Sequence, residues 1–232
     1  MPSSGTQRDV LTMAWRDVFF AHWPVDPTVL EATLPDGLTV DTFDGQAWLG
    51  IVGFRMDDIR PRFVPIGRSF QELNLRTYVR HDDVPGVYFY NLDADDRLGV
   101  AIARRLFGLP YYRAEMTVSE RDGETRFRSQ RHHSGAPDAA FDATIRPRGE
   151  PESVESGTLE AFLVERYRFF TERRGSIAVG EIEHEPWPLQ DVDVTIEHNT
   201  LFEASGFDSP DGDPHLLYSP GIDVTAGWVR NA

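Results

Sequence analysis

The sequence is dominated by short runs in which apolar and polar residues alternate at every second position. Residues 15–20, 47–54, 70–79, 87–92, 114–119, 125–131, 143–148, 192–197 and 224–229 are the candidate strands. Alternation puts successive side chains on opposite faces, so each run is an expected strand. Asp36-Gly37, Asp44-Gly45 and Asp122-Gly123 punctuate the pattern. The last pair lies between two alternating runs and predicts a tight hairpin turn.

Helical spacing is confined to a few segments. Residues 95–107 follow Asp93, begin with Asp95 and Asp96, end in Arg104 and Arg105, and are followed by Gly108 and Pro110. Acid at the start, base at the end and glycine beyond suit a helix dipole and its unpaired carbonyls. Leu98, Ile102 and Leu106 give this predicted helix its apolar stripe. A second is predicted over residues 158–174, with Thr158 as cap, Gly175 as stop and Leu159, Phe162, Leu163, Tyr167 and Phe170 at helical spacing. Short helices are expected after Asp26-Pro27 and after Asn199, the latter ending near Gly206. The expected class is therefore α+β, mainly antiparallel, with a barrel-like sheet and two main helices outside it. With no repeat and no low-complexity linker, residues 10–232 are expected to form one domain after a loosely ordered or disordered tail, residues 1–9.

Composition narrows the chemistry. The chain has no cysteine, which removes disulfides and thiolate–zinc sites. It has no lysine either, which removes a side-chain imine as an intermediate. Acidic residues outnumber basic ones 38 to 23, for a formal net charge of -15. That field repels nucleic acid and anionic membranes, so neither is an expected partner. Acid excess without lysine fits a protein adapted to molar salt, where a Debye length of ~3 Å screens self-repulsion. A GC-rich genome would replace Lys by Arg but would not add acid. No apolar run approaches the ~20 residues of a membrane span. Residues 1–9 are polar and lack a signal core, so the expected location is the cytoplasm.

No nucleophile elbow, phosphate loop, zinc-binding helix motif or dinucleotide fingerprint is present. His132-His133 would point to opposite faces of a strand, and residues 208–214 form an acidic turn lacking the last ligand of a calcium loop. No metal or cofactor is expected. The strand over residues 70–80 is more informative. Phe70, Glu72, Asn74, Arg76, Tyr78 and Arg80 share one face. One reading is a solvent-exposed face with cross-strand ion pairs. The other is a polar pocket wall, in which Glu72 serves as acid or base and Arg76 holds a carboxylate. Tyr111 and Tyr112 follow the Gly108-Leu109-Pro110 corner, and one of them must face each side. Glu72, Arg76, Tyr111 and Tyr112 are the candidate catalytic residues; Asn74, Tyr78, Arg113 and His22 are the candidate ligand-binding residues. His22-Trp23-Pro24 and the 184–190 segment read mainly as aromatic-proline architecture, with His22 or His184 placed to line a cleft mouth.

These same stretches carry a resemblance. Trp15-Arg16-Asp17-Val18 leading to His22-Trp23-Pro24, then Phe43-Asp44-Gly45-Gln46-Ala47-Trp48, Glu72-Leu73-Asn74-Leu75-Arg76-Thr77-Tyr78-Val79, Phe107-Gly108-Leu109-Pro110-Tyr111-Tyr112, Glu165-Arg166-Tyr167 and His184-Glu185-Pro186-Trp187-Pro188 resemble the YqjF-like family of uncharacterised prokaryotic proteins. More distantly, Pro85-Gly86-Val87-Tyr88-Phe89 with the Gly108-Leu109-Pro110 corner is similar to acetoacetate decarboxylases. That likeness implies a cone-like β-barrel around a pocket, with Glu72 in the place of a pocket glutamate. It also implies self-association, with a homodimer as one form. Tyr111 and Tyr112 stand where those enzymes carry their two lysines, so the imine chemistry is not shared.

Three functions follow as expectations. One is a small-molecule enzyme acting on an organic acid or carbonyl compound by proton transfer, hydration or hydrolysis. Another is a non-catalytic carrier or sensor of a small organic ligand. The third is an interaction protein whose barrel is filled by its own side chains.

Overall fold

The computed structural model describes residues 10–96, 100 and 108–232. The helix expected over residues 95–107 and the tail over residues 1–9 fall almost wholly outside them. Thirteen strands are described: β1 (Leu11–Val25), β2 (Thr39–Val40), β3 (Ala47–Pro61), β4 (Arg68–His81), β5 (Val84–Ala94), β6 (Tyr111–Arg121), β7 (Glu124–Arg131), β8 (Ala140–Ser153), β9 (Arg168–Arg173), β10 (Ser176–His184), β11 (Pro188–Asn199), β12 (His215–Ala226) and β13 (Arg230–Asn231). Every pairing is antiparallel except short parallel contacts of β5 with β6 and with β9.

The sheet closes on itself twice. Through successive pairings, β5-β6-β7-β8-β11-β12-β1-β3-β4 returns to β5. Through β9 and β10, β12-β1-β3-β4-β5 closes a second, smaller ring. The strands common to both rings form a partition with a core on each side. On one side Phe19, Leu49, Ile51, Leu73 and Leu75 pack with Phe127, Phe141 and Phe202. On the other, Phe20, Trp48, Val52, Phe54 and Tyr78 pack with Val164, Trp187 and Val224. Burial on both faces explains why residues 47–54 are all buried.

Local chemistry sets the corners. Asp122 (φ 53°) and Gly123 (φ 77°) join β6 to β7 as the expected two-residue turn. Asp26 caps helix α1 (Pro27–Glu31) by accepting the Thr28 N–H, with proline in its first turn. Helix α3 (Leu201–Ala204) starts where the Asn199 side chain accepts the Leu201 N–H.

One expected element is corrected. Thr158 does cap a helix, accepting the Ala161 N–H, but helix α2 spans only Leu159–Val164. Residues 168–173 form β9, which pairs with β10 through a turn at Arg174 (φ 55°) and Gly175 (φ 76°). The Arg-Gly pair read as a helix stop is a hairpin turn. Closure of the smaller ring, with Phe170 buried, outweighs the helical spacing.

Candidate functional site

β4 sets the site. Glu72 pairs across to Phe54 of β3, Asn74 to Val52 and Arg76 to Gly50. These residues face the core of the smaller ring. Glu72 and Asn74 are each 3% exposed and Tyr78 is fully buried, so the solvent-exposed reading of this face is excluded. Arg80, at its end, instead holds Asp41 at 2.9 Å, a carboxylate that also receives Arg166 at 2.7 Å.

Glu72 lies against a phenol. Tyr111 donates its O–H to Glu72 Oε2 at 2.8 Å, and Asn74 donates to Oε1 at 3.5 Å. Burial raises the Glu72 pKa to about 7; the hydrogen bonds from Tyr111 and Asn74 oppose the rise, and the charge of Asp93 adds to it. Burial, then the neighbouring Glu72, pushes the Tyr111 phenol well above its usual range. At neutral pH the pair is thus a carboxyl near its midpoint beside a phenol that keeps its proton.

The two tyrosines divide as alternation requires. β6 lies parallel to β5, with Tyr111 opposite Leu92 and Tyr112 opposite Asp93. Tyr111 reaches Glu72. Tyr112 instead lays its ring 4.5 Å from the Arg131 guanidinium, with its edge toward His133 at 5.3 Å. Arg131, 1% exposed, grips Asp93 with two hydrogen bonds of 2.7 and 3.0 Å. Sequence reasoning placed Asp93 at the entry to a helix and missed this pair. The available signal was an acid between Leu92 and Ala94 at a strand's end.

Arg76 and Tyr78 lie four and six residues along β4 from Glu72, which puts the Arg76 backbone about 13 Å away at a strand's rise, and both gather with His22 of β1. His215, His22, Gly50 and Arg76 are register partners across β12, β1, β3 and β4. Tyr78 donates its O–H to the Leu163 carbonyl at 2.8 Å and lies 2.7 Å from His22 Nε2. Burial above all, then the charges of Arg76 and His215, holds the His22 pKa well below 6.5. His22 is therefore neutral. With the phenolic proton committed to Leu163, Nε2 must carry the imidazole proton and donate to Tyr78. Arg76 also donates to Leu163 O at 3.0 Å, and among the described residues it has no carboxylate partner.

Gly50 makes room for this arrangement, since an added Cβ would stand 2.4 Å from His22 Cδ2. The buried ring has nowhere to go, so Gly50→Ala should cost ~1–3 kcal/mol in chemical unfolding. A Gly50→Ala protein as stable as the wild type would show that the imidazole has space to swing aside.

Asn74 Oδ1, Arg76 Nε and His22 Nδ1 are among the polar atoms buried without a partner among the described residues. Such atoms are rare in folded proteins. Arg113 is not gathered with them. It donates to the His132 carbonyl at 3.2 Å and lines an open cleft of about 510 Å³ with Asp95, Ala114, Glu115, Met116 and His132.

The doubly closed sheet is the acetoacetate decarboxylase-like fold. The chain aligns over 97% of its length with an acetoacetate decarboxylase at TM-score 0.69 and 13% identity, covering 90% of that chain. The acetoacetate decarboxylase of Legionella pneumophila aligns at TM-score 0.65 and 13% identity, covering 100% of this chain and 92% of that one. The enduracididine biosynthesis enzyme MppR, complexed with the condensation product of pyruvate and imidazole 4-carboxaldehyde, aligns at TM-score 0.67 and 14% identity, covering 99% and 92%. The chain belongs to the DUF2071 family of uncharacterized conserved proteins, whose family model matches residues 12–223. The uncharacterized protein YqjF of Bacillus subtilis (strain 168) is 42% identical over 219 residues, covering 93% of this chain and 89% of that protein.

Proposed function

We propose that the chain is an enzyme acting on a small organic acid or carbonyl compound by proton transfer at the Glu72–Tyr111 pair. The observation that carries this reading is an enclosed carboxyl with a pKa of about 7 hydrogen-bonded to a protonated phenol. A general base works best near the ambient pH. The Glu72 carboxylate takes a proton from carbon next to a carbonyl. The electron pair moves onto the carbonyl oxygen, and the Tyr111 O–H, released from Glu72, donates to that oxygen. Arg76, further along the same strand, holds a carboxylate at the far end of a substrate long enough to reach both groups. No imine forms, because there is no lysine to form it. Structures of the similarly folded MppR with pyruvate support the substrate class.

A second reading, a non-catalytic carrier or sensor, is favoured by the partnerless Asn74 Oδ1, Arg76 Nε and His22 Nδ1, which a polar ligand would satisfy. Both readings are tested by thermal-shift screening of short keto, hydroxy and enol acids at low and molar salt. A ligand at about 100 times its Kd should raise Tm by roughly 5–10 °C. Arg76→Met should abolish the shift. Glu72→Gln should keep binding and lose turnover if the chain is an enzyme. Silence across the whole panel would overturn both readings and leave a barrel filled by its own side chains.

A further inference from the structure

The hairpin between β3 and β4 projects apolar side chains into solvent. Phe63 is 93% exposed, Ile66 81% and Val64 41%. Such a cluster on one loop signals a partner rather than ordinary surface. The loop is not slack. Pro61 and Pro65 restrict it, Val64 N–H donates to Pro61 O at 2.9 Å, and Arg60 donates to Pro65 O at 3.4 Å. Binding through a preorganised loop loses little entropy.

The loop's charge identifies the partner. Arg60, Arg62 and Arg68 surround the apolar residues on a chain of net charge -15. Arg60 meets Asp58 at 3.1 Å and Arg68 meets Asp96 at 2.5 Å, while Arg62 has no acidic partner among the described residues. A basic, apolar projection on an acidic protein is complementary to another copy of that protein.

A matching depression lies nearby. The cleft of about 510 Å³ has Ala114 and Met116 among its walls, with Asp95, Glu115, Arg113 and His132 around them. The Glu115 side chain is 81% exposed. Asp95 accepts the Gln71 N–H at 2.9 Å, which ties the cleft to the base of the same hairpin. Projection and cleft therefore occupy the same end of the molecule. A two-fold axis there lets each copy give its projection and receive the other's.

We propose that the chain forms a homodimer in which Phe63 and Ile66 of each copy enter the other's Asp95–Glu115–Met116 cleft. Phe63 packs on Met116, a favourable sulfur–aromatic contact. Arg62 pairs with Glu115. Arg113 does not oppose the entry, because its guanidinium turns to the His132 carbonyl.

Sedimentation equilibrium of the full chain tests this. The wild type should dimerise in the micromolar range, and Phe63→Ser with Ile66→Ser should weaken dimerisation roughly 100-fold. These side chains are exposed, so near-UV circular dichroism should stay unchanged. Glu115→Arg should weaken the dimer about tenfold, and adding Arg62→Glu to the same chain should restore it. A wild type that stays monomeric at about 100 μM overturns the proposal. So does a dimer indifferent to the Phe63/Ile66 change, or a double charge swap that restores nothing. Binding to anionic vesicles without self-association would overturn it in favour of a membrane surface.

Discussion

At pH 8, Glu72→Gln should melt roughly 6–12 °C above the wild type, and at pH 4 the gain should nearly vanish. The sign follows from linkage. The Glu72 pKa is raised in the fold from 4.5 to about 7. Below 4.5 both folded and unfolded chains carry the proton, and stability is full. As pH rises to 7 the unfolded chain ionises while the buried carboxyl does not, so stability falls. Above 7 the loss is complete, at about 3 kcal/mol. Glutamine removes the charge and keeps an oxygen for the Tyr111 O–H. Its amide adds a donor beside the partnerless Asn74 Oδ1. Differential scanning fluorimetry at the two pH values checks this. Equal shifts at both, or a loss at pH 8, would show that Glu72 is not held as a buried, near-neutral acid. A carboxyl that costs stability at working pH is what an active-site base tends to be.

The second large effect lies behind the same carboxyl. Arg131→Met should destabilise the protein by about 3–5 kcal/mol, because it leaves Asp93 buried with no opposing charge. Asp93 is already uncomfortable: burial lifts its pKa, and the hydrogen bonds and charge of Arg131 pull it back. Adding Asp93→Asn should recover most of the loss, because the cost belongs to the unpaired ion and not to the missing contact. Urea unfolding of the single and double variants at pH 7 decides it. A double variant as unstable as Arg131→Met would mean that the guanidinium matters mainly through its stacking with Tyr112.

Local chemistry carried a good deal of this architecture. The alternation of residues 70–80 put Glu72, Asn74, Arg76 and Tyr78 on one wall, and the structure keeps them there. The Asp122-Gly123 turn, the Thr158 cap and the short helix after Asp26-Pro27 were legible because each depends on neighbours in the chain. What was not legible depends on distant partners. Nothing near Arg131 marks its bond to Asp93, 38 positions away. Nothing near Phe169 and Phe170 says that residues 168–173 complete a ring instead of extending a helix. Alternation also could not reveal that the polar wall has a hydrophobic core behind it. Apolar residues at odd positions and polar ones at even positions look the same whether the polar side meets water or interior.

The partition between the two rings has a consequence for how any ligand must be received. A strand with no wet face has no cheap way to loosen, since the amides of Leu73, Leu75 and Ile51 open only when both cores come apart. Adaptation to a guest therefore falls to the rim, through β6, α2 and the corners. The strand bearing Glu72 and Arg76 keeps its spacing.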